Sequence, residues 1–67
     1  TVIIGEIGLS GEIHPVSNLE KRLNEAAASG FKKAIIPYAN RNIKHEKIKT
    51  VPVKRLIDAI TACVNPG

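Results

Sequence analysis

Residues 17–30 constrain the fold more than any other stretch, because they hold the start, the apolar face and the end of one amphipathic helix. Ser17 and Glu20 have the spacing of a capping box, in which a serine hydroxyl and a glutamate carboxylate satisfy free amides at the helix start. The apolar residues recur at helical spacing: Leu19, Leu23, Ala26 and Ala27. Gly30 can adopt the left-handed conformation that closes a helix, so the helix is predicted to run to about Ser29.

Runs of β-branched residues lie on both sides of this helix and indicate strands. Residues 1–16 predict a β-hairpin with a glycine-rich turn at 8–11. Residues 33–37 and 48–51 predict two further short strands, and the polar residues between them predict a loop.

A second amphipathic helix is expected over residues 53–64, ended by the Asn-Pro-Gly sequence at 65–67. Its buried stripe is expected to consist of Val53, Leu56, Ile57, Ile60 and Val64. The predicted order is therefore β-β-α-β-β-α, an α/β (α+β) arrangement that forms a single fragment over residues 1–67.

Composition limits the kind of protein. With 67 residues, 43% of them hydrophobic, the chain can form only a small core. No apolar run reaches the roughly 18 residues of a membrane span, so no membrane association is expected. The single cysteine, Cys63, excludes an internal disulfide framework, is expected to be buried, and fits a reducing, cytoplasmic setting. The absence of an initiator methionine suggests a processed product or a piece of a longer chain.

The net charge of +4 is unevenly placed. Residues 1–31 carry two Lys or Arg against four Glu, and residues 32–67 carry eight against two acidic residues. Five cations of the basic half are candidate contacts to DNA phosphate or to a neighbouring subunit: Lys44, Lys47, Lys49, Lys54 and Arg55. Lys54 and Arg55 are expected in the first helical turn, where they oppose the macrodipole and therefore suggest a compensating partner. The alternative for all five is a solvated surface.

Other patterns predict little chemistry. His14, His45 and Cys63 lack metal-ligand spacing, and neither a dinucleotide fingerprint nor a P-loop is present, so no metal or cofactor site is expected in this chain. Glu6 and Glu12 flank the hairpin turn, and the loop length decides whether they share a face of the hairpin.

Two longer motifs carry a family resemblance. Residues 5–16 read GEIGLSGEIHPV and residues 25–37 read EAAASGFKKAIIP. Together with Val51-Pro52-Val53, they resemble the C-terminal part of the Lon-type protease domain, and they most resemble the Lon-like domain of the RadA (Sms) family of bacterial DNA repair proteins. The resemblance covers nearly the whole chain.

Lon proteases use a Ser-Lys dyad, and the resemblance implies that the serine precedes this chain. Glu20 occupies the position that the family's lysine would take, and Ile4 stands where active proteases have a threonine. Lys21, one position on, is rotated about 100° around the helix and cannot simply replace the lysine. The resemblance therefore implies a Lon-type fold without peptidase chemistry and with no catalytic residue in this chain.

The RadA resemblance further implies a parent protein with a zinc-binding segment and an ATPase core that uses ATP and Mg²⁺. That parent is expected to form a hexameric ring around DNA in the cytoplasm and to act in recombinational repair. The alternatives are a fragment of an active Ser-Lys peptidase and a small α/β module that binds nucleic acid or protein.

Overall fold

The computed structural model describes residues 1–64, which contain five short strands and two helices. The elements in chain order are β1 (Val2–Ile3), β2 (Glu6–Ile7), β3 (Ile13–His14), α1 (Leu19–Ala28), β4 (Lys33–Pro37), a 3-10 turn (Tyr38–Asn40), β5 (Lys49–Val53) and α2 (Leu56–Val64). The predicted mixed α/β class and the order of its main elements are confirmed. The predicted helix stop at 65–67 lies outside the described residues.

The first predicted strand is divided in two, and its halves belong to different sheets. β1 pairs in parallel with β4, and β4 pairs in parallel with β5, whereas β2 and β3 form a separate antiparallel hairpin. The chain passes from the sheet to the hairpin at Gly5, where an added Cβ would lie 2.6 Å from Ile13 Cγ2. A side chain at position 5 would therefore force Ile13 to shift, which favours glycine there. The expected hairpin over 1–16 is wrong at its amino-terminal end, because Val2 and Ile3 pair with β4 instead.

The central strand β4 separates two apolar clusters, because alternate side chains of a strand point to opposite faces. On one face, Ala34 and Ile36 pack with Leu19, Leu23 and Ala26 of α1. On the other face, the core cluster consists of Ile13, Ile35, Val53 and Ala59. The three-stranded sheet therefore lies between α1 on one side and the hairpin with α2 on the other.

The start of α1 differs from the predicted capping box. The helix begins at Leu19, its N-cap residue Asn18 is left-handed with φ 56°, and no side chain caps it. The backbone carbonyl of Ser17 accepts a hydrogen bond from Arg22 Nε at 3.1 Å. Left-handed backbone at Asn18 is incompatible with the extended N-cap geometry that a capping box needs, so that prediction is wrong.

The end of α1 agrees with the prediction. Gly30 has φ 95°, and its N–H donates to the carbonyl of Ala27 at 3.1 Å. The Phe31 N–H donates to the carbonyl of Ala26 at 3.0 Å, which completes a Schellman motif.

The second helix begins at Leu56, three residues later than predicted. The Lys54 carbonyl accepts from the Ile13 N–H at 2.9 Å, and the Leu56 N–H donates to the Gly11 carbonyl at 2.7 Å. These bonds to the hairpin keep the backbone out of the helical conformation until Leu56. Lys54 and Arg55 therefore precede α2, and their placement in its first turn is wrong.

The buried face of α2 differs from the predicted stripe. Ala59 is fully buried and Ala62 packs beside it, whereas three stripe residues face away from the sheet: Ile57 (61% exposed), Ile60 (50%) and Val64 (69%). Cys63 is exposed rather than buried. The anchored amino-terminal end turns the small alanines toward the sheet, where they allow close packing.

Neither helix of the described part is long and apolar enough to cross a membrane.

Candidate nucleic-acid interface

The predicted basic contacts do not form one patch, because they divide between the two ends of the strand pair β4–β5. The strands are parallel and in register from Lys33 opposite Lys49 to Pro37 opposite Val53. Lys47 and Lys49 therefore lie at the amino end, whereas Lys54 follows the carboxyl end. Four residue steps at about 3.3 Å each separate the two ends by about 13 Å.

The amino-end cluster consists of Lys32, Lys33, Lys47 and Lys49. Lys33 and Lys49 are direct neighbours across the parallel pair, and the Lys49 N–H donates to the Lys32 carbonyl at 2.9 Å. Lys33 is half-buried, and its Nζ donates to the carbonyl of Ala62 at 3.1 Å near the end of α2. The side chains of Lys32, Lys47 and Lys49 are exposed, so this end presents positive charge to solvent.

The loop that carries Lys44 and Lys47 is fastened to α1. His45 Nε2 donates to Asn24 Oδ1 at 2.7 Å, and His45 Nδ1 accepts from the Lys47 N–H at 3.2 Å. Ile43 packs against the α1 core cluster as well. His45 therefore has a structural role, and it holds Lys47 in a defined position beside the start of β5.

Lys54 and Arg55 have different partners within the chain. Lys54 Nζ lies 4.6 Å from the centroid of the Tyr38 ring. Arg55 forms a β-bridge with Glu12, and its guanidinium Nη2 donates to the Ser10 carbonyl at 2.9 Å. Arg55 thus ties the hairpin to the start of α2, whereas Lys54 extends over the carboxyl end of the sheet.

The carboxyl-end cluster consists of Tyr38, Arg41 and Lys54. Tyr38 and Arg41 were not among the five candidates. Tyr38 follows β4 directly, just as Lys54 follows β5, so the parallel register places these two residues side by side. Residues three apart in a 3-10 turn eclipse each other, which brings the Arg41 guanidinium to 4.6 Å from the Tyr38 ring centroid. Strand ends and this turn spacing are the sequence signals that point to the cluster.

The polar residues of the hairpin form a small exposed group of their own. Glu6 pairs with His14 across the hairpin, and His14 Nε2 lies 3.2 Å from Glu12 Oε1. A hydrogen bond to its own backbone N–H, followed by the bond to His14, lowers the pKa of Glu12 below its usual range. Among the described residues, no three His, Cys, Asp or Glu side chains form a group that could hold a metal ion.

Glu20 lies on the exposed surface of α1, in its first turn. A groove of about 440 Å³ lies beside β1 and α1, where its walls include Val2, Arg22 and Phe31. Neither Glu20 nor this groove belongs to the two basic clusters.

The chain is similar to bacterial DNA repair proteins over nearly its whole length, although no protein-family profile matches it. It is 51% identical over 63 residues to a protein of Synechocystis, which is 94% of this chain and 12% of the relative. It is 45% identical over 65 residues to a protein of Haemophilus influenzae and 46% identical over 61 residues to one of Escherichia coli, covering 14% and 13% of those proteins.

Each of these three relatives is named DNA repair protein RadA, so the chain matches a segment of RadA. It spans only 12–14% of the length of these relatives.

Proposed function

We propose that this chain is the non-catalytic, Lon-like portion of a RadA-type, ATP-dependent DNA repair and recombination protein, in which it contributes to ring assembly and contacts DNA. The observation that carries the proposal is the presence of basic clusters at both ends of β4–β5 in a chain that matches RadA. Cations on a rigid sheet fit the phosphate backbone, whose recognition depends on charge rather than base sequence.

The proposal extends to the full-length protein. That protein would supply an ATPase core using ATP and Mg²⁺ and a zinc-binding segment, and it would act on DNA in the cytoplasm as a hexameric ring. A ring multiplies a weak contact, because one bound subunit raises the effective concentration of the next. The isolated chain should therefore bind DNA weakly even where the ring binds it well.

The absence of peptidase activity is part of the proposal. Glu20 stands where the resemblance places the lysine base of a Lon-type dyad, so this chain lacks the residue that would activate the serine. The full-length protein should leave casein and fluorogenic peptides intact over hours. Steady hydrolysis that disappears in the Glu20→Ala variant would contradict this part of the proposal.

The DNA contact is tested in the full-length protein with one variant for each group of candidates. The first variant changes Lys44, Lys47 and Lys49 to Ala, and the second changes Lys54 and Arg55 to Ala. The matched control changes Lys21 and Arg22, two exposed cations of α1, to Ala.

Each lost phosphate contact should lower the slope of log affinity against log salt concentration by about 0.9, whereas the control should keep the wild-type slope. DNA affinity is measured by fluorescence anisotropy at several salt concentrations, and the oligomeric state by light scattering. Unchanged affinity, slope and oligomeric state in both variants would refute DNA contact and assembly through these residues.

A further inference from the structure

We propose that Tyr38, Arg41 and Lys54 form a binding site for a phosphodiester group of the DNA backbone, with Tyr38 as the positioning residue for the two cations. The inference rests on the proposed DNA contact and names a site within it. Two of its three residues, Tyr38 and Arg41, lie outside the five basic candidates, and the third is one of them.

The fold brings the three side chains together by two independent devices. The first is the parallel register, which sets Tyr38 after β4 next to Lys54 after β5. The second is the 3-10 turn, in which the Arg41 N–H donates to the Tyr38 carbonyl at 3.0 Å and Arg41 Nη1 donates to the same carbonyl at 3.3 Å. Because β4 is buried from Ala34 to Pro37, packing in the core sets the backbone from which the cluster extends.

The cluster holds two like charges without a carboxylate. Each cation lies 4.6 Å from the same ring centroid, so they are at most about 9 Å apart. Neither Arg41 nor Lys54 forms an ion pair with an acidic side chain among the described residues. The face of an aromatic ring attracts cations but does not neutralise them, so the cluster keeps a charge of about +2.

A phosphodiester is the ligand that suits this arrangement best. It carries one negative charge and acceptor oxygens, and Arg and Lys are the side chains that most often contact it. Tyr38 is 39% exposed, which places the cluster at the surface where a backbone strand can reach it. Carboxyl ends of parallel strands are also the usual place for ligands in open α/β sheets.

The structure separates this site from Arg55. The Arg55 guanidinium is engaged by the Ser10 carbonyl at 2.9 Å and lies on the hairpin side. Within the described residues, the side chains of Lys54 and Arg41 contact Tyr38 and not the hairpin. The site should therefore depend on Arg41 and Lys54, whereas loss of Arg55 should act mainly on the stability of the hairpin.

The test uses the full-length protein and a fluorescent DNA duplex, titrated over a range of salt concentrations. The main variant changes Arg41 and Lys54 to Gln, and its matched control changes Lys21 and Arg22 to Gln. The double change at the site should lower the salt slope by about 0.9, as expected when one phosphate is no longer neutralised, while the control keeps the wild-type slope.

Tyr38 is tested separately, because a positioning residue should act differently from a contact. Tyr38→Phe keeps the ring and should leave both affinity and slope unchanged. Tyr38→Leu removes the ring but keeps both charges, so the salt slope should stay unchanged. Without the ring, the two cationic side chains must be ordered when DNA binds, so the affinity should fall about two- to tenfold.

Each other outcome overturns the inference. An unchanged slope in the Arg41/Lys54 variant, with a lowered slope in the Lys44/Lys47/Lys49 variant, refutes this site and leaves the proposed DNA contact standing. Unchanged slopes in both variants refute the DNA contact itself. Loss of the oligomer with an unchanged slope identifies the cluster as a protein contact instead.

Discussion

The amino-terminal end of α1 offers a decisive test, because the sequence and the structure assign its stability to different residues. The capping-box pattern assigns it to the Ser17 side chain, whereas the structure places Asn18 at the N-cap in a left-handed conformation without a side-chain cap. The informative substitutions are therefore Ser17→Ala, Asn18→Ala and Asn18→Gly.

The expected magnitudes follow from backbone geometry. Left-handed backbone costs a residue with a Cβ roughly 1–2 kcal/mol, and asparagine tolerates it better than alanine. Because Asn18 has φ 56°, the Asn18→Ala change should lower the free energy of unfolding by about 1 kcal/mol. The Asn18→Gly change removes the strain but raises the entropy of the unfolded chain. These effects oppose each other, so the free energy of unfolding should change by no more than about 0.5 kcal/mol.

Ser17→Ala should also change the free energy of unfolding by less than about 0.5 kcal/mol. The Ser17 group that makes a contact is its backbone carbonyl, which accepts from Arg22 Nε and is retained in alanine. A true capping box would instead cost about 0.5–2 kcal/mol on this change.

Equilibrium urea unfolding of the 67-residue chain, followed by far-UV circular dichroism, measures all three changes. For a domain of this size, 1 kcal/mol corresponds to about 4–8 °C in Tm, so thermal unfolding gives an independent reading. Ser17→Ala destabilising the chain as much as Asn18→Ala would refute the left-handed N-cap and restore the capping box.

Three further predictions test other parts of the fold. Leu23→Ala should cost about 2–5 kcal/mol, because Leu23 is fully buried between α1 and β4, and urea unfolding measures it. Cys63, being exposed, should react completely with a thiol reagent without denaturant, whereas slow reaction limited by unfolding would contradict its placement. His14→Gln should raise the pKa of Glu12 toward its ordinary value in an NMR titration. The pKa of Glu12 is lower in the folded state than in the unfolded state. Glu12 therefore stabilises the fold at pH values above the ordinary glutamate pKa, and this stabilisation is lost as the pH falls through the pKa of the folded state.

Local signals account for the parts of the fold that the sequence predicts correctly. The apolar face of α1 and the left-handed Gly30 depend on a few neighbouring residues. The strand at Lys33–Pro37 has a continuous apolar centre, Ala34-Ile35-Ile36, which suits a buried central strand. Propensity and periodicity express such features directly.

Contacts between distant residues explain the parts that were missed. Val2 and Ile3 look like the first arm of a hairpin, yet their pairing partners are Ala34 and Ile35, more than thirty positions away. The rotation of α2 depends on bonds from residues 54 and 56 to the hairpin, which local periodicity cannot express. One face of α2 carries large apolar side chains and another carries alanines. The anchored end of the helix decides which of the two faces packs on the sheet.

The same distinction explains what the sequence revealed of the candidate interface. Counting charges correctly placed the basic residues in the second half of the chain, but their separation into two clusters required the register of β4 with β5. Recognition that Tyr38 and Lys54 each follow a parallel strand would have placed them together. Arg41 requires the further knowledge that a 3-10 turn starts at Tyr38.

The separation of the two clusters has an energetic consequence for the proposed DNA contact. β4 and β5 keep them about 13 Å apart, beyond the distance at which substitutions usually couple. If one DNA molecule reaches both ends, losses of salt slope from the two groups of substitutions should therefore add. A variant that combines both groups of substitutions tests this. If its loss of salt slope equals the larger of the two separate losses, only one end contacts DNA, and the other cluster serves a different surface of the assembly.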